Sequence, residues 1–178
     1  RCLAVMPMFH GHGLAAGLLA TLSTGGRLGI PRSGRFSPRS FSDEIHGVDA
    51  TWFTAVPTIH QILLDVGAAA DIGRNRLRFL RSCSAPLAPD VAQRLEVAFG
   101  APVLPAFGMT EATHQACAVH PSSDTDTRIH TVGEPTGTEL RIIDESGSSC
   151  AAGIVGEVWL RGRSIARGYL DNERATAE

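Results

Sequence analysis

Thr110 and Glu111 have the most direct claim to chemistry in this chain, because a hydroxyl beside a carboxylate can serve a phosphate oxygen and a divalent cation together. They close the segment Phe107-Gly108-Met109-Thr110-Glu111. Gly108 permits close backbone approach, Glu111 offers the hard oxygen that Mg2+ takes, and Phe107 can pack on a base. An ordinary strand-to-helix turn accounts for the same residues, with Thr110 or Glu111 serving a helix N-terminus. The pattern alone leaves the two readings level.

His10 and His12 alternate with glycine in Phe9-His10-Gly11-His12-Gly13. No carboxylate or cysteine stands at ligand spacing, which argues against a metal site. Pocket lining stays open for this pair, and for His12 a histidine satisfied near a helix start is favoured. Ser82-Cys83-Ser84-Ala85-Pro86 brings small side chains and backbone groups suited to a flat ring, or else forms a turn ending a buried strand. The cysteines Cys2, Cys83, Cys117 and Cys150 form no CxxC pair and are expected reduced, in a cytoplasmic protein. Neither a GxGxxG nor a GxxxxGK[ST] phosphate fingerprint is present, and no GxSxG elbow supports a serine hydrolase.

Regular elements must hold these groups in place. Strand-like runs at 3–6, 27–30, 51–54, 77–82 and 102–106 recur about every 25 residues, the room that a strand, a helix and two loops need. Between them, Phe41, Ile45 and Val48 share a helix face behind Pro38. Pro57 and Pro89 open two further helices, and Gly100 closes the second. Residues 14–22 are apolar nearly all round and predict a buried helix. The alternation predicts an α/β fold: a doubly wound, mostly parallel sheet with helices on both faces. Ligands in such sheets bind beyond the carboxyl ends of the strands. That rule singles out the loops at 7–13, 55–58, 82–87 and 107–111.

After Pro121 the pattern changes. Residues 122–128 read as a polar loop, and 139–144 and 156–161 as strands that start a small antiparallel β unit. The expected organisation is an α/β part over 1–121, then a linker and the start of a barrel-like part over 122–178. The charge balance shifts at the same place. Residues 1–120 carry ten Arg against eight acids, and 121–178 carry six against ten. All 16 basic residues are arginine, so a step that needs a lysine must use sequence outside this chain. A net charge of -2 argues against a nucleic-acid or membrane-surface partner, and no apolar run approaches a bilayer span.

Four segments together resemble the adenylate-forming (AMP-binding) superfamily of acyl-CoA synthetases, peptide-synthetase adenylation domains and beetle luciferases. They are Met6-Pro7-Met8-Phe9-His10-Gly11-His12-Gly13, the loop at 82–87, Phe107-Gly108-Met109-Thr110-Glu111, and Val155-Gly156-Glu157-Val158-Trp159-Leu160-Arg161-Gly162. The last continues into Ala166-Arg167-Gly168-Tyr169-Leu170-Asp171-Asn172. The resemblance implies activation of a carboxylic acid by ATP to an acyl-adenylate, then thioester formation with coenzyme A. It implies that Ser84, Ala85, Pro86 and Phe107 border adenine, with Gly108 and Met109 lining the nucleotide and acid pockets. Thr110 would contact phosphate, Glu111 would hold Mg2+, and His10 would shape the acid entrance. The family's phosphate loop and C-terminal lid with its lysine are expected outside these residues, so the 178-residue piece alone is expected to be inactive.

Residues 34–37, 50–61, 78–84 and 109–114 look closest to oxalate–CoA ligases, which implies a small dicarboxylate. A second carboxylate needs a polar partner, and Ser84 and His114 could supply one; an exposed helix-start histidine accounts for His114 equally well. Phe107-Gly108 departs from the Tyr-Ala of that branch and leaves the choice of acid open. The alternatives are an acyl-AMP ligase that feeds a carrier protein, and a nucleotide-binding module without catalysis.

Overall fold

The chain, seen as a computed structural model, is described over residues 1–73 and 76–177. Five parallel strands form its centre: β1 (Cys2–Leu3), β2 (Leu28–Gly29), β3 (Trp52–Ala55), β4 (Phe79–Ser82) and β5 (Val103–Phe107). They lie in the order β2-β1-β3-β4-β5, so the chain changes winding direction at β1. β6 (Cys117–Ala118) and β7 (Glu134–Pro135) extend the β5 edge antiparallel. The larger sheet thus draws its last strand from beyond residue 121. β8 (Glu139–Ile143) and β9 (Glu157–Arg161) pair antiparallel as a separate two-stranded sheet. This is the doubly wound, mostly parallel fold with a small antiparallel unit that the alternation of elements predicts.

The helices are α1 (Ala20–Ser23), α2 (Phe41–Gly47), α3 (Pro57–Asp65), α4 (Ala68–Ile72), α5 (Pro89–Phe99), α6 (Thr125–His130) and α7 (Glu173–Ala177). Pro57 and Pro89 stand at the first helical positions of α3 and α5, where a missing N–H costs nothing. Gly100 ends α5 at φ +62°, a left-handed cap that glycine adopts freely. Phe41 and Ile45 of α2, Leu63 of α3, and Leu95 and Phe99 of α5 are buried in one core with Phe53, Leu80 and Val103 of the strands.

Two expectations are corrected. Residues 14–22 are not a buried helix. A π-helical stretch, His12–Leu19, runs into α1, and Leu14, Leu19 and Leu22 are 42%, 52% and 53% exposed. The face turned inward is His12, Gly13, Gly17 and Thr21. The helix packs through its small and polar residues, because at Gly13 a Cβ would lie 2.1 Å from the Pro7 carbonyl oxygen. The segment 122–128 is likewise not all loop. α6 starts inside it, with the Asp124 carboxylate accepting from the Thr127 N–H at 2.9 Å. Arg128 ties α6 to Glu96 of α5 at 2.8 Å and Ile129 packs against the main core, so tertiary contacts hold a helix too polar to show periodicity.

Candidate active site

β1, β3, β4 and β5 are parallel neighbours, so the loops after them share one edge of the sheet. After β5 the chain makes a single 3-10 turn at Thr110–Ala112, then places Thr113 and His114 at φ +52° and +75°. Two successive non-glycine residues in that region are strained, and the turn is held by the His114 N–H donating to the Met109 carbonyl at 2.9 Å. Gly108 is required by packing: a Cβ there would lie 1.5 Å from the His114 carbonyl oxygen. The result is a His114 side chain folded inward and only 4% exposed.

Below it lies a buried polar network. The His12 ring packs on His114 with centroids 4.5 Å apart, and its Nε2 and Nδ1 meet Thr54 Oγ1 at 2.6 Å and Ser84 Oγ at 3.0 Å. Arg81 donates to Thr54 Oγ1 at 3.2 Å and to Gln115 Oε1 at 3.0 Å, and Gln115 donates to Thr136 at 3.1 Å. The exposed His10 accepts from the His12 N–H at 3.1 Å and meets His114 edge-on at 6.5 Å. Burial, with His114 and Arg81 beside it, pushes the His12 imidazole down to about 3. Burial and Arg81 push His114 down to about 4, and burial pushes His60 under β4 to about 4. All three rings are therefore neutral at pH 7.

Ser84, Ala85 and Pro86 line a cavity of about 300 Å3 with Phe107, Gly108 and Val132. Ser84 has φ +75°, a second strained position at this edge. Met109 and Thr110 are exposed beside it. Glu111 accepts a hydrogen bond from the Tyr169 hydroxyl at 2.7 Å, which holds its carboxyl below the usual carboxylate range. The Ala166 N–H donates to the Glu111 carbonyl at 2.7 Å, and Thr113 Oγ1 donates to the Ser164 carbonyl at 2.7 Å. No three metal-type ligands cluster among the described residues. One solvent-facing carboxylate with a second oxygen to spare still fits Mg2+, which keeps water and phosphate oxygens as most of its ligands.

The sequence-predicted residues Ser84, Ala85, Pro86, Phe107 and Gly108 meet on one cavity, while His10 and His114 meet beside the buried network. Thr110 and Glu111 stand on the solvent side of the same loop. Sequence reading did not single out Thr54, Arg81, Gln115, Val132 or Tyr169. Arg81 carried a signal, since a charged residue in an otherwise apolar interior strand is anomalous.

A profile of the AMP-binding enzyme family matches residues 1–170. Oxalate–CoA ligase of Arabidopsis thaliana is 46% identical over 172 residues, which are 96% of this chain and 34% of that protein. Oxalate–CoA ligase of Saccharomyces cerevisiae is 39% identical over 180 residues, 100% of this chain and 32% of that one. Among solved structures, ATP-bound MatB from Rhodopseudomonas palustris superposes with a TM-score of 0.86 at 26% identity, over 99% of this chain and 34% of that one. The chain therefore spans about a third of the length of the relatives it matches. A match that runs through every loop of the shared edge identifies the chain as a member of the AMP-binding enzyme family.

Proposed function

We propose that this chain supplies acid- and nucleotide-facing loops of an AMP-forming acid–CoA ligase. A carboxylate oxygen of the substrate attacks the α-phosphorus of ATP, and the bond to pyrophosphate breaks as the acyl-adenylate forms. The thiol of coenzyme A then attacks the acyl carbon, loses its proton, and displaces AMP. The observation that carries this reading is the meeting of the loops after β4 and β5 on the cavity between Ser84 and Phe107, at the shared edge of the parallel strands. Ser84, Ala85, Pro86 and Phe107 border adenine there, Gly108 and Met109 line the nucleotide and acid pockets, and the Ser84 hydroxyl and His114 offer the acid its polar partners. Thr110 contacts phosphate, Glu111 holds Mg2+, and His10 shapes the acid entrance. Bound Mg2+ supplies neutralisation of the phosphate oxygens, which lets two anions approach each other.

The favoured substrate is a small acid with a second anionic group, oxalate first. Arg81 supports it: the residue is only 8% exposed, and its guanidinium donates to neutral Thr54 and Gln115. Among the described residues it has no carboxylate partner, and His114 Nε2 is buried without one. A buried cation without an anion is costly, and a substrate carboxylate would relieve that cost. The oxalate–CoA ligases among its relatives point the same way. The free thiols, three of them buried, suit a reducing compartment, and the cytoplasm is the proposed location; no helix of the described residues is long and apolar enough to cross a membrane.

ATP/pyrophosphate exchange by the full-length enzyme tests both levels. Exchange driven by oxalate above butyrate and palmitate is expected. Exchange with none of the acids overturns the adenylation reading, and a preference for palmitate overturns the second anionic group.

A further inference from the structure

We infer that His12 is a positioning residue: together with Thr54 it fixes the Ser84 hydroxyl as a hydrogen-bond donor toward the anionic acid in the strand-end site. The inference rests on the proposed placement of the acid at Ser84 and goes beyond it by assigning the direction of each proton.

The direction follows from the inventory of donors. Arg81 has only donors, so Thr54 Oγ1 accepts from it at 3.2 Å. Thr54 is 2% exposed, and among the described residues its hydroxyl meets only Arg81 and His12. Its proton therefore goes to His12 Nε2, 2.6 Å away, since accepting from both neighbours would leave that proton buried and unpaired. A neutral imidazole that accepts at Nε2 carries its proton on Nδ1. Nδ1 then donates to Ser84 Oγ at 3.0 Å. Ser84 Oγ, occupied as an acceptor on its inner side, keeps its own proton for the outer side, where it lines the cavity.

His12 remains neutral throughout the working range. The groups facing it are His10, His60, His114 and Arg81, all of them basic or neutral, and with burial they push its imidazole down to about 3. The chain of donors Arg81, Thr54, His12 and Ser84 thus has one polarity, set by a residue that cannot accept. A hydroxyl held as a donor recognises an oxyanion and disfavours a neutral or apolar group at the same point.

Single and double variants of the full-length enzyme test the inference, with KM for oxalate and KM for ATP read separately in pyrophosphate exchange. Ser84→Ala is expected to raise the oxalate KM about tenfold. His12→Phe and Thr54→Val should each raise it by a similar factor with the ATP KM changed less than twofold. Either combined with Ser84→Ala should add nothing further, because all three remove one interaction. His12→Asn, whose amide can stand in for Nδ1–H, should recover part of the loss, and Thr54→Ser should recover nearly all of it. Thermal melts identify variants that fail to fold; should His12→Phe be one, Thr54→Val carries the same comparison at nearly constant volume. Multiplied effects in the double variants, or equal losses in oxalate and ATP KM, overturn the relay and leave a structural histidine. Ser84→Ala with an unchanged oxalate KM overturns the placement of the acid at Ser84, and the relay with it. A tenfold effect of Ser84→Ala without one from His12→Phe or Thr54→Val overturns the relay alone.

Discussion

Glu111 and Tyr169 are 58 residues apart in sequence and joined by a 2.7 Å hydrogen bond, so the carboxylate assigned to Mg2+ is oriented by a side chain from beyond the second sheet. Glu111→Gln in the full-length enzyme is expected to lower pyrophosphate exchange at least a hundredfold. Tyr169→Phe keeps the carboxylate and frees its orientation, and should raise the Mg2+ concentration for half-maximal exchange about three- to tenfold. The histidines make a second residue-scale prediction. His12, His60 and His114 are held neutral in the folded state, down to about 3, 4 and 4. The unfolded chain, with ordinary histidines near 6.5, binds more protons below that pH, so these sites destabilise the fold as pH falls from 6.5 toward 4. His60, fully buried, can account for roughly 2–3 kcal/mol by pH 4. Melting temperature should be flat from pH 7 to 8.5 and drop steeply below pH 6, less steeply in a His60→Gln variant.

The loop after β5 depends at the element scale on one close approach, Gly108 against the His114 carbonyl, with Thr113 and His114 in left-handed backbone. Gly108→Ala cannot be relieved by a side-chain shift, because the clash is with backbone at 1.5 Å. The variant should keep its circular dichroism spectrum, since the clash falls in the loop just past the end of β5, yet lose more than tenfold in kcat/KM for ATP. Pro57, Pro89 and Gly100 made α3 and α5 legible in sequence because each marks an end through its own backbone geometry. β6 and β7 were not legible, since two residues carry no periodicity. The outward leucines of residues 14–22 misled for a related reason. Apolar content shows burial only when packing confirms it, and here glycines form the contact.

At the scale of the whole molecule, the core gathers around β3, β4 and β5, while α7 contributes no buried residue and β8–β9 buries only Ile143. Trp159 and Val158 on β9 are 54% and 43% exposed. Amide hydrogen exchange should therefore protect β3–β5 most, with β8–β9 opening at lower free energy. Equal protection of the two sheets would contradict this division.

Sequence by itself determined the parallel strands, the helices α2, α3 and α5 and the identity of the strand-end loops, because local periodicity and Pro or Gly punctuation encode these within a few residues. It also yielded Thr110 and Glu111 as candidates, though not what holds them. Only the tertiary structure decided which side chains meet: Arg81 with Thr54, His12 with Ser84, and Tyr169 with Glu111 are pairs 27, 72 and 58 residues apart. Contacts at such separations follow from sheet register and loop closure, and a linear pattern does not carry them.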